Sequence, residues 1–422
     1  MTTSFIDELS WRGLLHQATD GAAEALSKGP VSGYIGFDPT GSSLHVGHLV
    51  QVMGLVFLQR CGHRPVALVG GGTGMIGDPS GRSAERNLIS LEQVTANAES
   101  IRTQLSRFLD FSGPRGARMV NNADWLLSMS LVAFLRDVGK HFGVNYMLAK
   151  DVVKSRLESG ISYTEFSYML LQSYDFLELY RREGVSLQLG GSDQWGNITA
   201  GTELIRRSIG GDAHGITLPL VTTADGKKFG KTAEGTSVWL DAARTSPYRF
   251  YQFWINVDDR NVKQYLRMFS LREREAIEAL DRDVDERPES RAAQAALAYE
   301  VTARVHGDAA ARAARDASRV VFDKRADAHA LSMDTLEMLR GELPLARTTS
   351  TAEGLPIVDL LVDLGFVKSR GEARRQLQQG AVSINGRRIG ADETHVPASD
   401  ALHGKFLLVR KGGREMGIAE LS

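Results

Sequence analysis

Two short segments, separated by about 180 residues, carry residue types suited to phosphate chemistry. The first reads PTGSSLHVGH and contains His45 and His48; the second reads KKFGKT and contains Lys228 and Lys231. Imidazole and ammonium groups donate hydrogen bonds to phosphate oxygens, and the neighbouring glycines let a phosphate chain approach the backbone. Together the segments predict a nucleoside triphosphate held from two sides, with these side chains stabilising the charge that develops on its phosphates.

Each segment also has a simpler interpretation. Two histidines three residues apart can cap a helix or bind a metal, although the sequence offers no third ligand nearby. A lysine pair by itself is usually part of a solvated loop. The presence of both segments in one chain favours phosphate binding, in which His45 and His48 stabilise charge and transfer no proton.

A competing signal is the sequence GTGMIG, which runs from Gly72 to Gly77 after an apolar strand pattern. It matches the glycine spacing of a dinucleotide site. Asp78-Pro79 follows at once and disfavours a continuing helix, and residues 91–108, where an acid-ended strand belongs, have a helical pattern. A nicotinamide-dependent enzyme is therefore the weaker interpretation.

A third group of residues is suited to recognising a small polar substrate. Residues 163–181 are predicted to form a helix, on which Tyr168, Gln172 and Asp175 share one face. A phenol, an amide and a carboxylate on one face indicate a ligand, with a solvated face as the alternative. Polar or small residues of two further segments belong to the same group: Tyr34, Asp38, Gly191, Asp193 and Gln194.

The elements that must position these residues alternate between short apolar runs and helical patterns over residues 31–221. Residues 65–69 and 185–189 are typical of buried parallel strands. The predicted fold class is α/β, with a Rossmann-like parallel sheet in a catalytic domain that covers residues 1–246. Ligands of such sheets lie at the carboxyl ends of the strands.

Other segments interrupt or follow this domain. Residues 124–160 are predicted to be a helical insertion that forms the contact of a homodimer or, alternatively, packs on the parent domain. Its exposed-looking apolar residues are Phe134, Phe142, Val144, Tyr146 and Met147. Residues 247–330 are predicted to form an all-helical domain, 331–354 a linker rich in turn residues, and 355–422 a small α+β module.

Composition narrows the class of protein. The 422 residues include 50 Lys and Arg against 51 Asp and Glu, a formal net charge of -1, so the chain is not a generally basic nucleic-acid binder. The single cysteine, Cys61, excludes an internal disulfide and a cysteine-cluster metal site. The sequence has neither a basic-then-apolar leader nor an apolar stretch of about 18 residues, so we expect a cytoplasmic protein without a membrane partner.

Positive charge is concentrated near the C-terminus, where residues 368–388 contain six basic side chains and one acidic side chain, Glu372. This segment resembles the small RNA-binding module shared by a ribosomal small-subunit protein and pseudouridine synthases. The resemblance implies salt-dependent contacts to the RNA backbone, with a solvated basic face as the alternative. The six basic residues are Lys368, Arg370, Arg374, Arg375, Arg387 and Arg388.

Over essentially its whole length, the chain resembles the bacterial tyrosyl-tRNA synthetases. The sequence HVGH resembles the HIGH signature of class I aminoacyl-tRNA synthetases and KFGKT the KMSKS signature, with departures at Val46, Phe229, Gly230 and Thr232. The resemblance implies a ligase that converts tyrosine and ATP, the latter accompanied by Mg²⁺, to tyrosyl-adenylate and pyrophosphate. The ligase then transfers tyrosine to the 3′ end of tRNA(Tyr), and no protein-ligated metal is expected.

The resemblance also implies a role for each motif residue. The residues implied to hold tyrosine are Tyr34 and Asp175 at the phenol, Asp78, Tyr168 and Gln172 at the ammonium group, and Gln194 beside them. Those implied to bind ATP are Asp38, Thr40, His45, His48, Gly191, Asp193 and Lys231. Those implied to act on the phosphates during the reaction are Thr40, His45, His48, Lys228, Lys231, Arg82 and Arg86.

Two rival interpretations use the same residues. A tryptophanyl relative shares the fold and both signatures, but Tyr34 with Asp175 and the C-terminal module argue against it. A purely RNA-binding protein with a decayed synthetase fold is the other rival, and the intact histidines and lysines argue against that. A phenol paired with a carboxylate also rejects phenylalanine, which leaves buried polar groups unpaired, so no editing domain is expected.

Overall fold

The computed structural model describes residues 4–80, 89–157, 160–226, 229–232, 235–349, 354–413 and 415–421. The chain divides into two compact units. The first comprises Met1–Thr245 and Val257–Leu297, and the second comprises Ser246–Asn256 and Ala298–Ser422. In the described part of the chain, no helix is long and apolar enough to cross a membrane.

The first unit is built on a six-stranded sheet. Its strands are β1 (Gln17–Ala18), β2 (Ser32–Phe37), β3 (Arg64–Val69), β4 (Arg118–Asn121), β5 (Val185–Gly191) and β6 (His214–Leu218). The strand order is β1-β6-β5-β2-β3-β4; β2 to β6 are parallel, and β1 pairs antiparallel with β6 at the edge. Tyr34 therefore lies on the central strand, opposite Val66 and Gln188. The predicted strands at 65–69 and 185–189 are confirmed as β3 and β5.

Helices alternate with these strands along the chain, as expected for βαβ units. They are α1 (Phe5–Trp11), α2 (Ala22–Ser27), α3 (Leu49–Arg60), α4 (Leu91–Leu105), α5 (Ala123–Leu126), α6 (Leu131–Asp137), α7 (Val144–Leu148), α8 (Asp151–Leu157), α9 (Tyr163–Glu183) and α10 (Trp195–Ile209). The helix predicted to begin near His45 begins with a 3₁₀ turn, Val46–His48, that continues into α3.

Helix α9 carries the predicted polar face. The Ser162 hydroxyl accepts a hydrogen bond from the backbone N–H of Glu165 and caps the start of the helix, and Gly184 ends it in the left-handed conformation. On its inner side Phe176, Leu177 and neighbouring residues pack against β2, β3 and β5 in one buried cluster. The core thus fixes the rotation of the helix and turns Tyr168 and Asp175 inward.

In the insertion, which comprises α5 to α8, the structure corrects part of the prediction about exposed apolar residues. Met147 is buried, and Phe134, Phe142 and Tyr146 pack against buried clusters, so of the five predicted residues Val144 is the exposed one. The exposed large apolar side chains among the described residues of the insertion are Leu127, Leu131, Val132, Leu135, Val144, Leu148 and Leu157. The difference comes from tertiary packing and not from helical spacing, because Phe134 packs against buried clusters while Leu131, three residues earlier on α6, is exposed.

Further helices follow the sheet: α11 (Pro247–Ile255), α12 (Asp259–Phe269), α13 (Arg274–Glu286), α14 (Ala292–His306) and α15 (Asp308–Phe322). Helices were expected here, but the compact units divide them differently from the predicted domain boundaries. Helices α12 and α13 pack with the sheet unit, whereas α11 and α15 belong to the second unit. The exact domain limits stay predictions.

The rest of the second unit contains α16 (Met333–Glu342), β7 (Leu345–Thr348), β8 (Leu355–Pro356), α17 (Ile357–Asp363), α18 (Arg370–Gln378), β9 (Val382–Ile384), β10 (Arg387–Arg388), β11 (His395–Val396), β12 (Phe406–Lys411) and β13 (Glu415–Leu421). One sheet has the order β10-β9-β12-β13-β7, and β8 pairs with β11. The predicted turn-linked strand pair is confirmed, since β9 and β10 are joined by Asn385 and Gly386, both with positive φ.

The linker predicted over residues 331–354 is wrong for the described residues of that segment. Ser332 caps α16, whose Leu336 and Leu339 are buried, and β7 pairs in parallel with β13. Leu345 lies opposite Ile418 in this register, more than 70 residues further along the chain. A local composition pattern contains no information on such a distant partner, so turn-forming residues alone do not reveal this strand.

Candidate active site

The loops at the carboxyl ends of the parallel strands bring the predicted polar residues to one edge of the sheet. Asp38 follows β2, Asp78 lies in the loop after β3, and Asn122 follows β4. Asp193 and Gln194 lie on a 3₁₀ turn directly after β5. This edge is where parallel sheets bind ligands, because the loops after neighbouring strands converge there.

Tyr34 and Asp175 form the buried end of the site. Their exposed fractions are 1% and 2%. Among the described residues, the Tyr34 hydroxyl has no hydrogen-bond partner. Burial and the nearby negative charge of Asp175 raise the pKa of Tyr34 well above its usual value, so the phenol is neutral. A buried hydroxyl beside a carboxylate can pair with one further hydroxyl that donates to the carboxylate and accepts from Tyr34.

Two side chains that the sequence analysis missed hold the Asp175 carboxylate. Asn122 Nδ2 donates to its Oδ2 at 2.8 Å, and Trp125 Nε1 donates to its Oδ1 at 2.7 Å. Burial raises the pKa of Asp175 to about 8, and these two hydrogen bonds act in the opposite direction. A signal was present in the sequence, because Asn122 follows an apolar run at the carboxyl end of a parallel strand.

A second carboxylate, that of the half-buried Asp38, belongs to the same network. Tyr168 donates its hydroxyl to Asp38 Oδ2 at 2.8 Å, and Thr73 donates its hydroxyl to Oδ1 at 2.7 Å. The Thr73 oxygen accepts from Asn122 Nδ2 at 2.9 Å, so Asn122 and Thr73 connect Asp38 to Asp175. Burial, followed by the charges of Asp38 and Asp78, raises the pKa of Tyr168 well above its usual value. The structure thus joins Asp38, assigned to ATP by resemblance, to residues assigned to tyrosine.

A separate set of amides orients Asp78. Gln194 Nε2 donates to Asp78 Oδ2 at 2.7 Å, and the backbone N–H of Ser80 donates to Oδ1 at 2.9 Å. Asn197, a residue the sequence analysis missed, donates to Gln172 Oε1 at 3.0 Å and to Gln194 Oε1 at 3.2 Å. Asp78, Gln172 and Gln194 are therefore brought together as predicted, and the cluster has the negative charge that attracts an ammonium group.

The glycines of the GTGMIG sequence have a packing role. A Cβ at Gly74 would lie 2.9 Å from Pro39 Cδ, and one at Gly72 would lie 2.8 Å from Leu126 Cδ1. The segment forms a 3₁₀ turn, Thr73–Met75, that carries Thr73 to the Asp38 carboxylate. Close packing against these side chains explains why glycine occupies these two positions, so the motif does not require a dinucleotide-binding site.

The two histidines cap the turn that precedes α3. His45 Nδ1 accepts from the backbone N–H of Gly47 at 3.1 Å, and His48 Nδ1 accepts from the backbone N–H of His45 at 3.1 Å. The rings are stacked with centroids 3.9 Å apart. Because an accepting nitrogen carries no proton, each neutral ring has its proton on Nε2. The Nδ1 atoms therefore cap the turn, in agreement with the simpler interpretation. This capping also leaves the N–H group at Nε2, where it can donate a hydrogen bond.

The second signature segment lies against the first. The backbone N–H of Val46 donates to Val238 O at 2.9 Å, and Val238 N–H donates to Gly230 O at 3.0 Å. Lys231 is exposed and bridges to Ser237 in antiparallel fashion. A Cβ at Gly230, whose φ is +96°, would lie 3.1 Å from the Gly47 nitrogen. The structure therefore brings the two glycine-bearing motifs into contact.

Among the other residues predicted to bind ATP or act on its phosphates, the structure describes some and leaves others outside the described ranges. Thr40 is exposed, and its backbone N–H donates to Asp38 O at 2.8 Å. Gly191 ends β5 and abuts Asp193, whose Oδ1 would lie 2.5 Å from a Cβ at that glycine. Arg82, Arg86 and Lys228 lie outside the described residues. Within the described ranges, no group of three or more His, Cys, Asp or Glu side chains is arranged to hold a metal ion.

In the second unit, all six basic residues of the segment 368–388 are exposed. Arg370 pairs with Asp359 at 2.8 Å and Arg387 with Glu393 at 2.8 Å. In the part of the chain that is described, Lys368, Arg374, Arg375 and Arg388 make no ion pair with a carboxylate. These four charges remain uncompensated on the surface.

Comparison with known proteins was made by family model, by sequence and by structure. Residues 26–323 match the family described as tRNA synthetases class I (W and Y), and residues 336–417 match the tyrosine–tRNA ligase SYY-like C-terminal domain. The chain is 52% identical over 419 residues to the tyrosine–tRNA ligase of Anaeromyxobacter dehalogenans, covering 99% of each chain. It is 50% identical over 412 residues to that of Geobacillus stearothermophilus, covering 97% of each. A C-terminally truncated Aspergillus nidulans mitochondrial tyrosyl-tRNA synthetase is similar in structure, with a TM-score of 0.69, 31% identity, and coverage of 76% of this chain and 94% of that one.

Proposed function

The chain belongs to the tyrosine–tRNA ligases of the class I synthetase family, and from that membership we propose how its described residues carry out the reaction. The reaction activates tyrosine with ATP and transfers it to the 3′ end of tRNA(Tyr). Identity over the full length to tyrosine–tRNA ligases decides against the tryptophanyl relative, the RNA-binding protein and the nicotinamide enzyme.

One observation supports the assignment of the residues that bind the substrate tyrosine. The buried Tyr34 hydroxyl lacks a hydrogen-bond partner among the described residues, and the charge of Asp175 acts on it. The substrate phenol donates to the Asp175 carboxylate and accepts from the Tyr34 hydroxyl. Phenylalanine leaves the buried Tyr34 hydroxyl without a partner and deprives Asp175 of a donor besides Asn122 and Trp125, and an unpaired buried neutral group costs about 1–3 kcal/mol. This pair therefore supplies selectivity for tyrosine.

The ammonium group of tyrosine lies among Asp78, Tyr168 and Gln172 in this proposal. Gln194 and Asn197 hold Asp78 and Gln172 in position. Asp38 adds a second negative charge through its bond to the Tyr168 hydroxyl. The whole substrate is then bound at both ends, so its carboxylate is directed towards the ATP site, and orientation of this kind lowers the barrier to a two-substrate reaction.

In the first step, the tyrosine carboxylate oxygen forms a bond to the α-phosphorus of ATP, and the bond from that phosphorus to the pyrophosphate oxygen breaks. His45 and His48 donate from Nε2, and Lys231 donates from its ammonium group, to the oxygens that gain negative charge. Thr40, Gly191 and Asp193 line the nucleotide, and Mg²⁺ enters as part of the ATP substrate. The roles of Arg82, Arg86 and Lys228 on the pyrophosphate stay predictions.

In the second step, a terminal ribose hydroxyl of the tRNA attacks the carbonyl carbon of the adenylate, and AMP leaves. No covalent enzyme intermediate is formed, so positioning and charge stabilisation account for the rate. The uncompensated charges of Lys368, Arg374, Arg375 and Arg388 are proposed to contact the tRNA backbone.

A homodimer is also proposed, with a second copy of this chain as the partner of the insertion. Leu131 and Val132 are 73% and 75% exposed on α6, and Leu127, Leu135, Val144 and Leu148 are exposed nearby in the chain. So many exposed apolar side chains in one insertion are unusual for a monomer surface. The cytoplasmic location stays a prediction from the sequence.

The test of the activation step is amino-acid-dependent exchange of labelled pyrophosphate into ATP. Tyrosine, tryptophan, phenylalanine and no amino acid are compared, with Lys231→Ala as the control variant. Exchange with tyrosine alone, reduced about 100-fold or more in Lys231→Ala, is the expected result. Equal exchange by the wild type and Lys231→Ala would remove the role proposed for this lysine.

A further inference from the structure

One face of helix α12 contacts the segment that leads into Lys231. Asn261 Oδ1 accepts from the backbone N–H of Ala224 at 2.8 Å, and the Tyr265 hydroxyl donates to Thr222 O at 3.1 Å. These two residues are four positions apart, and Phe269 is four further on, so the three side chains lie on one side of the helix. The helix therefore binds the backbone of the segment at two separate points.

A third contact is made by an aromatic side chain. Phe229 is 4% exposed, and its ring centroid lies 4.8 Å from that of Tyr265 and 5.7 Å from that of Phe269, in parallel orientation to the latter. Gly230 and Lys231 follow directly. Since Phe229 is packed in this aromatic site, the position from which the Lys231 side chain extends is set by α12.

The helix is itself held in place at its C-terminal end. The Arg12 guanidinium donates to the carbonyl oxygens of Arg267 and Ser270 at 2.7 and 2.8 Å, and Arg12 is buried and paired with Glu8. These carbonyls belong to the last turn, which lacks helical partners, and a cation is favourable there. Helix α12 therefore has a fixed position in the sheet unit and can serve as a reference for the segment.

We propose that α12 is a positioning platform for the second signature segment, with Tyr265 and Phe229 as positioning residues that place Lys231 opposite His45 and His48. The proposal rests on the phosphate role of Lys231 given above. It also explains the departure from the KMSKS signature, because phenylalanine at position 229 fills an aromatic site and glycine at 230 adopts the positive φ that the turn towards Gly47 requires. The platform acts on pyrophosphate release from ATP and leaves the tyrosine pocket unchanged.

The experiment is steady-state pyrophosphate exchange on the full chain, with kcat and the KM for tyrosine measured separately. Phe229→Ala removes the packing, Phe229→Met restores a flexible apolar group that fits between rings, and Tyr265→Phe removes only the hydroxyl bonded to Thr222. We expect kcat to fall at least tenfold in Phe229→Ala and about fivefold in Tyr265→Phe, with recovery in Phe229→Met and an unchanged KM for tyrosine. Leu26→Ala, a core deletion on α2, controls for general loss of stability.

A double-mutant cycle with Lys231→Ala distinguishes positioning from mere stability. Tyr265→Phe has a smaller effect in the Lys231→Ala background than in the wild type if it acts through that lysine. Equal effects in both backgrounds, or wild-type kcat in both Phe229→Ala and Tyr265→Phe, overturn the proposal. Wild-type activity of Lys231→Ala itself is the separate outcome that removes the role of the lysine, and with it the premise of the platform.

Discussion

Asn122 donates its side-chain amide to Asp175 at 2.8 Å, and the same nitrogen lies 2.9 Å from the Thr73 hydroxyl oxygen. One fully buried amide thus connects the Asp175 carboxylate, at the end of the proposed tyrosine pocket, to the carboxylate of Asp38 through Thr73. Burial of Asp175 disfavours its negative charge, and hydrogen bonds such as the one from Asn122 support the charged form. The charge state of this group of residues therefore depends on Asn122, to which the sequence analysis assigns no role.

Asn122→Ala is expected to weaken tyrosine binding, because it removes a donor from Asp175 and leaves the carboxylate less stable in its charged form. The loss of a hydrogen bond to a charged group corresponds to about 1.5–3 kcal/mol, or roughly a 10- to 150-fold rise in the KM for tyrosine. Pyrophosphate exchange at varied tyrosine concentration measures this KM. The matched control is Asn256→Ala, which changes an exposed asparagine in the other unit. An unchanged KM would contradict the role of Asn122.

The pH dependence of stability is expected to change in Asp175→Asn. Burial raises the pKa of Asp175 in the folded chain to about 8, above the value in the unfolded chain. Between about pH 4 and 8 the folded state then holds a proton that the unfolded state has lost, so the wild type loses stability relative to the variant as the pH rises through this range. Above pH 8 the difference becomes constant. Urea unfolding of both proteins from pH 5 to 9 measures the difference, and a flat difference would show that Asp175 titrates with an ordinary pKa.

Gly230→Ala is expected to lower kcat for pyrophosphate exchange by tenfold or more. The added Cβ would lie 3.0 Å from Val46 Cγ2 and 3.1 Å from the Gly47 nitrogen, so the two signature segments must separate. Gly226→Ala is a matched control, because Gly226 also has a positive φ, +73°, but no atom of the described residues lies within 4 Å of its added Cβ. Both variants pay the conformational cost of about 1–2 kcal/mol in stability. Similar kcat values in the two variants would argue against the contact between segments.

Val132→Asp is expected to convert the proposed dimer to a monomer, because it places a charge on the exposed apolar face of the insertion. Phe322→Asp is the control, since Phe322 is 71% exposed in the second unit, outside that face. Sedimentation velocity over a range of concentrations measures the mass of each variant. If the wild type sediments as a monomer at every concentration, the insertion has another role.

Arg374→Glu combined with Arg375→Glu is expected to raise the KM for tRNA in aminoacylation while leaving tyrosine-dependent pyrophosphate exchange unchanged. Each lost phosphate contact should also reduce the salt slope of log affinity by about 0.7–0.9. Arg102→Glu combined with Arg115→Glu, at two exposed arginines of the sheet unit, controls for the same change in net charge. An unaltered tRNA KM and salt slope would leave the basic segment as a solvated surface.

Much of this protein is determined by its sequence alone, since the relevant signals are local. The alternation of apolar runs and helical patterns predicts β3, β5 and the helices around them, because burial on both faces of a parallel sheet requires such runs. The histidine and lysine signatures, and the shared face of Tyr168, Gln172 and Asp175 on α9, follow from side-chain chemistry and helical spacing. These features need no knowledge of distant contacts.

The tertiary structure decided everything that depends on contacts between residues far apart in the chain. It brought Asn122 and Trp125 to Asp175 and placed Phe229 on α12, and it paired β7 with β13 where the sequence predicted a linker. Asparagine, tryptophan and phenylalanine all occur in purely structural positions as well, so their types alone indicate no partner. Their roles arise from burial, because a polar group acquires a required partner, and a carboxylate a shifted pKa, only when the fold removes it from water.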